Sequence, residues 1–468
     1  MERKKTVVED IKRDLYDQKN SDADSFKVAK GLTEDIVREI SAIKNEPEWI
    51  LKQRLEALKV YKASSMPKWG PPLDELNIDE ITTYVRPNTS MKSSWDEVPA
   101  NIKQTFERLG IPSAERKALA GVGAQYDSEI VYHSLQETLA RQGVIYTDMD
   151  TAVKEHEPMM REYFQKLLTP KTHKILALHG AVWSGGSFVY VPEGVDVKIP
   201  LQSYFRFNSP SAGQFEHTLI VVDKGARLHF IEGCSAPKYN TYNLHAGSVE
   251  LYVKEGATLR YSTIENWSKN MFNLNSKCAL VEKDASMEWV SGTFGSHVTM
   301  LYPTSILYGE HAKTEFTGVS FAAKGQNLDT GTKVVHAAPH TSSTISSRSI
   351  SKDGGIAVYR SSVNVLPQAH HVKAAISCES LMMDSVSRSD TLPVMDIRND
   401  EVDIGHEAKI GRISEEAIFY LTTRGLGEEE AKAMIVRGFV EPITKELPLE
   451  YAVEMNNLIT IELEGSIG

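Results

Sequence analysis

From Phe188 to Ile410 apolar and polar residues alternate in short runs, broken by one recurring turn. The turn reads PEGVDV (192–197), DKGARL (223–228), KEGATL (254–259), EKDASM (282–287) and GEHAKT (309–314). The small residue that closes each turn is Val195, Ala226, Ala257, Ala285 and Ala312, at spacings of 31, 31, 28 and 27. A period in that range marks a solenoid. Alternation such as Leu228-His229-Phe230-Ile231 is the period of a half-buried strand, so each repeat is strand rather than helix. Stacked strands without intervening helices predict a mainly β fold, a β-helix in which each rung covers the edge of the last. The register drifts after Ala312.

The pattern before the solenoid is helical. Thr33 caps a predicted helix through Ile43, and Asn45 with Pro47 opens a second carrying Leu51, Leu55 and Leu58 on one stripe. Residues 65–99 read as irregular, and helical patterns return at 113–122, 127–143 and 150–168. Residues 1–30 are polar and read as disordered or as a docking arm. After Ile413 the helical period resumes, with N-caps expected at Ser414 and near Gly427. Phe419, Leu421, Met434, Ile435 and Phe439 give these helices a large apolar surface, equally suited to capping the solenoid end or to offering a partner groove. The expected organisation is a helical region over 1–170, a β-helix core over 171–412 and a C-terminal helical domain over 413–468.

Composition narrows the function. The 468 residues carry a formal charge of −11, which argues against a broad nucleic-acid-binding face. No apolar run reaches the roughly 20 residues of a membrane helix, and the opening MERKKTVVEDIKRDLYDQKN lacks the apolar core of a signal peptide. Three widely spaced cysteines suit a reducing cytoplasm. There is no CxxC pair and no GxxxxGK[ST], and the GVGAQ at 121–125 is too short for a dinucleotide fingerprint.

Cys234 shares strand parity with Ala226, Leu228 and Phe230, which turns it toward the apolar side. It stands eight residues after Ala226, as Glu265 stands eight after Ala257, so the two point the same way from equivalent strands. Most lone cysteines are buried structural residues. The alternative is a sulfur-relay site, a thiol beside a carboxylate and Trp267 with Arg206 or Lys283 near. Cys278 has the parity of Leu274 and Leu280 and reads as core. Cys378, His406 and Glu407 are all iron-ligand types. Adjacent strand residues face opposite sides, so His406 and Glu407 could serve one site only at a bulge or strand end, which Gly405 permits. The commoner reading is a repeat turn, because HEAK resembles EHAK at 310–313. His336 and His340 share a face by parity, and His370 and His371 are further candidates.

Several segments together resemble the SufB/SufD family of the SUF iron–sulfur cluster assembly machinery. They are ERKALAGVGAQYDSE (115–129), GVIYTDMDTA (143–152), FIEGCSAP (230–237), SGTFGS (291–296), the HxxxH at 336–340 and GHEAKIGRI with its following helices. GVGAQYDSE and Cys234 favour the SufB branch over SufD. The resemblance implies a right-handed parallel β-helix and a scaffold, not a classical enzyme. A C-terminal helical domain would dock the ATPase SufC, and SufD or a second SufB would stand beside it. Persulfide sulfur would come from a cysteine desulfurase, and the cargo would be a transient iron–sulfur cluster. It implies Cys234 as sulfur acceptor, Arg206, Asn208, Glu265, Trp267 and Lys283 as the lining of the onward path, and Cys378, His406 and Glu407 as the assembly site. Gly405 stands where some members carry glutamate, and Glu265 where some carry glutamine. Reduced flavin accompanies some complexes of the family, but this sequence shows no flavin motif. The rival readings are a cluster-free SufD-like subunit and a β-helix carbohydrate-active enzyme; for the latter no paired-carboxylate site stands out.

Overall fold

The computed structural model describes residues 17, 19–21, 25–108, 119–445, 447 and 449–464. The chain winds into a parallel β-solenoid of about eight turns, with helices at both ends of the sequence. Two parallel sheets form its walls. One runs from Leu201–Arg206 through Arg227–Ser235, Thr258–Asn266, Ser286–Phe294, Lys313–Ala322, Ser342–Ser351 and Val372–Met382 to Val402–Arg412. The other runs from Ser187–Val191 to Arg388–Ile397. Between the walls lies an apolar interior of stacked residues, among them Leu228, Leu259, Met287 and Ile345.

The recurring turn has a physical basis. Its third residue is left-handed in every coil: Gly194, Gly225, Gly256, Asp284, His311, His340 and His371. The amide of each donates to the turn of the next coil, at 2.9, 2.9, 2.8, 2.9, 3.2, 2.8 and 2.7 Å. Glycine adopts this conformation freely, and later coils fill it with Asp and His instead. The repeat therefore continues beyond Ala312 although its glycine signature ends. The rings of His311, His340 and His371 stack at 5.0 and 4.9 Å along this ridge.

The outer faces are covered unequally. Helices Glu34–Lys44, Glu48–Ala63 and Lys174–Val182 pack on one wall. Helices Glu428–Thr444 and Leu449–Glu464 lie along the other, over Ile231, Ile264, Val290, Val319 and Ile350. The C-terminal helices thus cover a side of the solenoid rather than its end. Among the described residues no helix is long and apolar enough to cross a membrane.

Several expected elements differ. Thr33 does cap the first helix, accepting from the Ile36 amide, but Asn45 closes that helix in the left-handed conformation instead of opening the next. The helix expected at 127–143 is replaced by a hairpin, Gly121–Tyr126 with Glu129–Leu135, turned at left-handed Asp127. Only Glu137–Ala140 in that stretch is helical. Residues 121 and 122 of the helix expected at 113–122 are strand; residues 113–118 lie outside the described residues, as does most of the expected docking arm. Gly121–Tyr126 is buried on both faces, so sheet packing overrides the local period. Helix Lys174–Val182 is apolar all round and fully buried from Ile175 onward, and shows no amphipathic stripe.

Candidate functional site

Strand Arg227–Ser235 places Cys234 inside the solenoid. Cys234 pairs in register with Phe205 on one side and Glu265 on the other. It is buried, in an apolar cluster with Phe205, Phe207, Trp267 and Met271. Burial first, and then Glu232, Glu216 and Glu265, push its thiol well above the usual range, while Lys277 opposes them.

A charged network surrounds this thiol. The Lys277 ammonium, fully buried, donates to Glu232 Oε1 at 3.1 Å and stands 4.0 Å from Glu265 Oε1. Burial alone would lower the Lys277 pKa, but Glu232 and Glu265 raise it overall, so it stays charged. Tyr261 donates to Glu232 Oε2 at 2.5 Å. Asn273 donates to Glu265 Oε2 at 2.7 Å. His245 meets Glu216 at 2.5 Å, and Glu216 holds its pKa up against the effect of burial. The Trp267 ring lies 4.5 Å from His245, and its buried indole N–H meets no partner among the described residues. Sequence reading missed Lys277 and Glu232. A lysine in a run as apolar as Met271–Val281 was the available signal, since a buried ammonium needs a carboxylate partner.

The other path candidates separate. Arg206 pairs in register with Ser235, not Cys234, so it projects from the opposite face of the wall, where its Nη1 donates to Ser235 Oγ at 3.1 Å. Asn208 sits at the corner beyond it, its amide bound to Asp127 Oδ1 at 2.6 Å. Lys283 lies on an exposed turn, away from Cys234. Cys278 is buried, facing outward between the solenoid wall and the N-terminal region, in register with Glu250.

The strand registers connect Cys234 to Cys378. Glu232 is followed through successive coils by Thr263, Ser291, Gly318, Ser347 and Cys378. Two positions along, Cys234 is followed by Glu265, Thr293, Ser320, Ser349 and Ser380. These positions point inward, and none carries a large apolar side chain. They form a polar strip about 24 Å long, from five strand spacings of roughly 4.8 Å. A void of about 10 Å³ lies on it, lined by Ser291, Thr293, Gly318, Ser347 and Tyr359 among others.

Cys378 is buried at the far end, its thiol pushed up to about 11 by burial. His406 shares its inward face, opposite Ile376, and its buried Nε2 meets no partner among the described residues. Glu407 points outward and pairs with Lys409 at 3.0 Å. The register runs unbroken through Gly405, so no bulge brings His406 and Glu407 to one face. Nor do they form a turn: both lie within strand Val402–Arg412. Among the described residues no group of three His, Cys, Asp or Glu is arranged to hold a metal ion. His336 and His340 do not share a face: His336 is buried against Thr341 and Ser343, and His340 stands on the outer ridge. His370 and His371 lie on the same ridge beside Glu401.

Comparison with known proteins agrees with this architecture. The family described as SUF system FeS cluster assembly, SufBD core domain, matches residues 205–439, and the SufBD protein N-terminal region matches 36–203. The chain is 52% identical over 459 residues to the iron–sulfur cluster assembly protein SufB of Bacillus subtilis (strain 168), covering 98% of this chain and 99% of that protein. It is 51% identical to an iron–sulfur cluster assembly SufBD family protein of Staphylococcus aureus (strain MRSA252), over the whole of both chains. These matches span both the strand carrying Cys234 and the strand carrying Cys378, and the chain belongs to the SufBD family of the SUF iron–sulfur cluster assembly system.

Proposed function

We propose that the chain is a scaffold that takes persulfide sulfur at Cys234 and passes it inside the solenoid to an assembly site at Cys378 and His406. The polar strip carries this reading: it joins two buried cysteines along the inner face of one wall. In the first step the Cys234 thiolate bonds to the outer sulfur of a donor persulfide. The donor's own S–S bond breaks, and the donor leaves as thiolate. The Cys234 proton passes to a neighbouring carboxylate. Lys277 favours the anionic sulfur that results. A cysteine desulfurase or its sulfur carrier is the donor that the family implies. Freeing sulfide from a persulfide takes two electrons, for which reduced flavin is the family's candidate source.

The cluster is cargo, and its ligands are completed across an interface. Cys378 and His406 lie at the end of the solenoid where Arg388–Ile397 and Val402–Arg412 form the outermost strands. Leu392, Val394, Ile397 and Ile410 stand exposed there. SufD or a second copy of the chain would cover this end and bring further ligands, with Glu407 facing it from outside. The exposed helix Glu415–Thr423, bearing Phe419 and Tyr420, is the docking element for the SufC ATPase in the cytoplasm. Anaerobic reconstitution with iron and sulfide, alone and with SufC and SufD, tests the reading. Cys378→Ala should abolish the cluster absorption and Cys278→Ala should leave it. Failure of the native chain under all these conditions would favour the cluster-free subunit.

A further inference from the structure

The corner beside Cys234 is filled by the chain's own N-terminal residues, in a way that reads as peptide recognition. Asn208 is 1% exposed and pairs twice with the backbone of Asn20. The Asn20 amide donates to Asn208 Oδ1 at 3.0 Å, and Asn208 Nδ2 donates to the Asn20 carbonyl at 3.1 Å. This closes a reciprocal ring that reads backbone rather than side chain. The Asn20 side chain enters a slot, donating to Tyr126 Oη at 2.8 Å, Thr105 Oγ1 at 3.0 Å and the Asn101 carbonyl at 3.3 Å. Lys19 lies over the Tyr239 ring at 4.6 Å, and Tyr239 donates to the Asn208 carbonyl. The Asp17 carboxylate accepts the Lys238 amide at 3.0 Å and lies in the field of Arg206.

Three features coincide here: a side chain that pairs with any extended backbone, a slot that fits an amide, and a position where a carboxylate accepts the Lys238 amide. Arg206 in turn donates to Ser235, the neighbour of Cys234. We propose that this corner is a docking site for an extended peptide loop carrying an anionic sulfur, held in the free chain by Asp17, Lys19 and Asn20 in its place. The Asp17 carboxylate stands where the anionic group of the incoming loop would lie. The identity of that loop as a sulfur carrier rests on the function proposed above; the peptide site itself does not.

Intramolecular occupancy competes at an effective concentration in the millimolar range, which fixes the test. The full chain, native and with Asp17→Ala plus Asn20→Ala, is titrated with a fluorescein-labelled peptide of residues 13–24, RDLYDQKNSDAD. The double variant should bind at least tenfold more tightly than the native chain, and adding Asn208→Ala should return it to the native level. A peptide with Asp17→Ala should bind at least fivefold more weakly. Equal binding to native and double variant, or binding indifferent to Asn208, overturns the site; equal binding of the two peptides overturns its preference for an anion. A peptide that docks as expected on a chain whose Cys234 takes up no persulfide upholds the site while removing its sulfur role. Unchanged thermal unfolding of the variants excludes loss of fold as the cause.

Discussion

Replacing Lys277 by methionine removes the cation nearest Cys234 while keeping the volume of its stem. At an effective dielectric of about 20, the contacts at 3.1 Å to Glu232 and 4.0 Å to Glu265 are worth about 5 and about 4 kcal/mol before desolvation is counted. The ammonium's own burial offsets much of this. Breaking such a buried pair from one side costs about 3–5 kcal/mol, because the carboxylates stay behind uncompensated. Lys277→Met should therefore lose about that much in urea unfolding at neutral pH. Adding Glu265→Gln should recover about 2 kcal/mol, a coupling that the double-mutant cycle reads directly. Lys277 is also the group that opposes the rise of the Cys234 thiol, so alkylation of Cys234 should slow in the single variant. A loss below about 1 kcal/mol, or strict additivity with Glu265→Gln, would refute the idea that these charges form one network.

Asp127 is pushed up to about 6 by burial, against the pull of three donors from Asn208 and Ser209. A carboxyl raised in the fold is stabilising while protonated, so its contribution of about 3 kcal/mol should fade as pH rises from about 4 to about 6. In Asp127→Asn that part of the stability slope should vanish, as seen in urea midpoints at pH 4, 5 and 6. Ser347→Leu puts an apolar plug on the polar strip one coil before Cys378. It should leave persulfide formation on Cys234 intact while cutting sulfur arrival at Cys378 at least tenfold, measured by mass spectrometry; unchanged arrival would exclude the strip as the route. Phe419→Asp, at a side chain 71% exposed, should abolish capture of the SufC ATPase in a pull-down without lowering the melting temperature.

The solenoid was legible because its signal repeats: a period-2 strand and a glycine turn recur at nearly constant spacing. The signal faded after Ala312, where the turn residue is His340 and then His371, since the backbone demands a left-handed residue and not a particular letter. Parity placed Cys234 and Glu265 on one inward ladder, as the register has them. Arg206 stands eleven residues after Val195, an odd offset that puts it on the other face of the same wall, as the register has it. Lys283 was grouped with them by sequence nearness, yet it occupies a turn, and the buried lysine is Lys277, six residues earlier. Of the hairpin at 121–135, residues 121–122 and 127–135 were read as helix; burial of Gly121–Tyr126 on both faces erases the alternation that marks a strand. The objection that His406 and Glu407 face apart was sound pleat geometry, and no bulge relieves it.

The two ends of the solenoid are not equivalent. At the first, each wall finishes on an antiparallel strand, Glu129–Leu135 or Ile145–Asp148, which reverses the direction of the ladder. At the last, Arg388–Ile397 and Val402–Arg412 finish both walls with parallel strands whose outer edges pair with no further strand among the described residues. Two last ends can meet only across a two-fold axis or its pseudo-symmetric equivalent, and that meeting uses up both edges. A pairing through this end, as proposed above, would close at two and put the ligands of both halves at the seam.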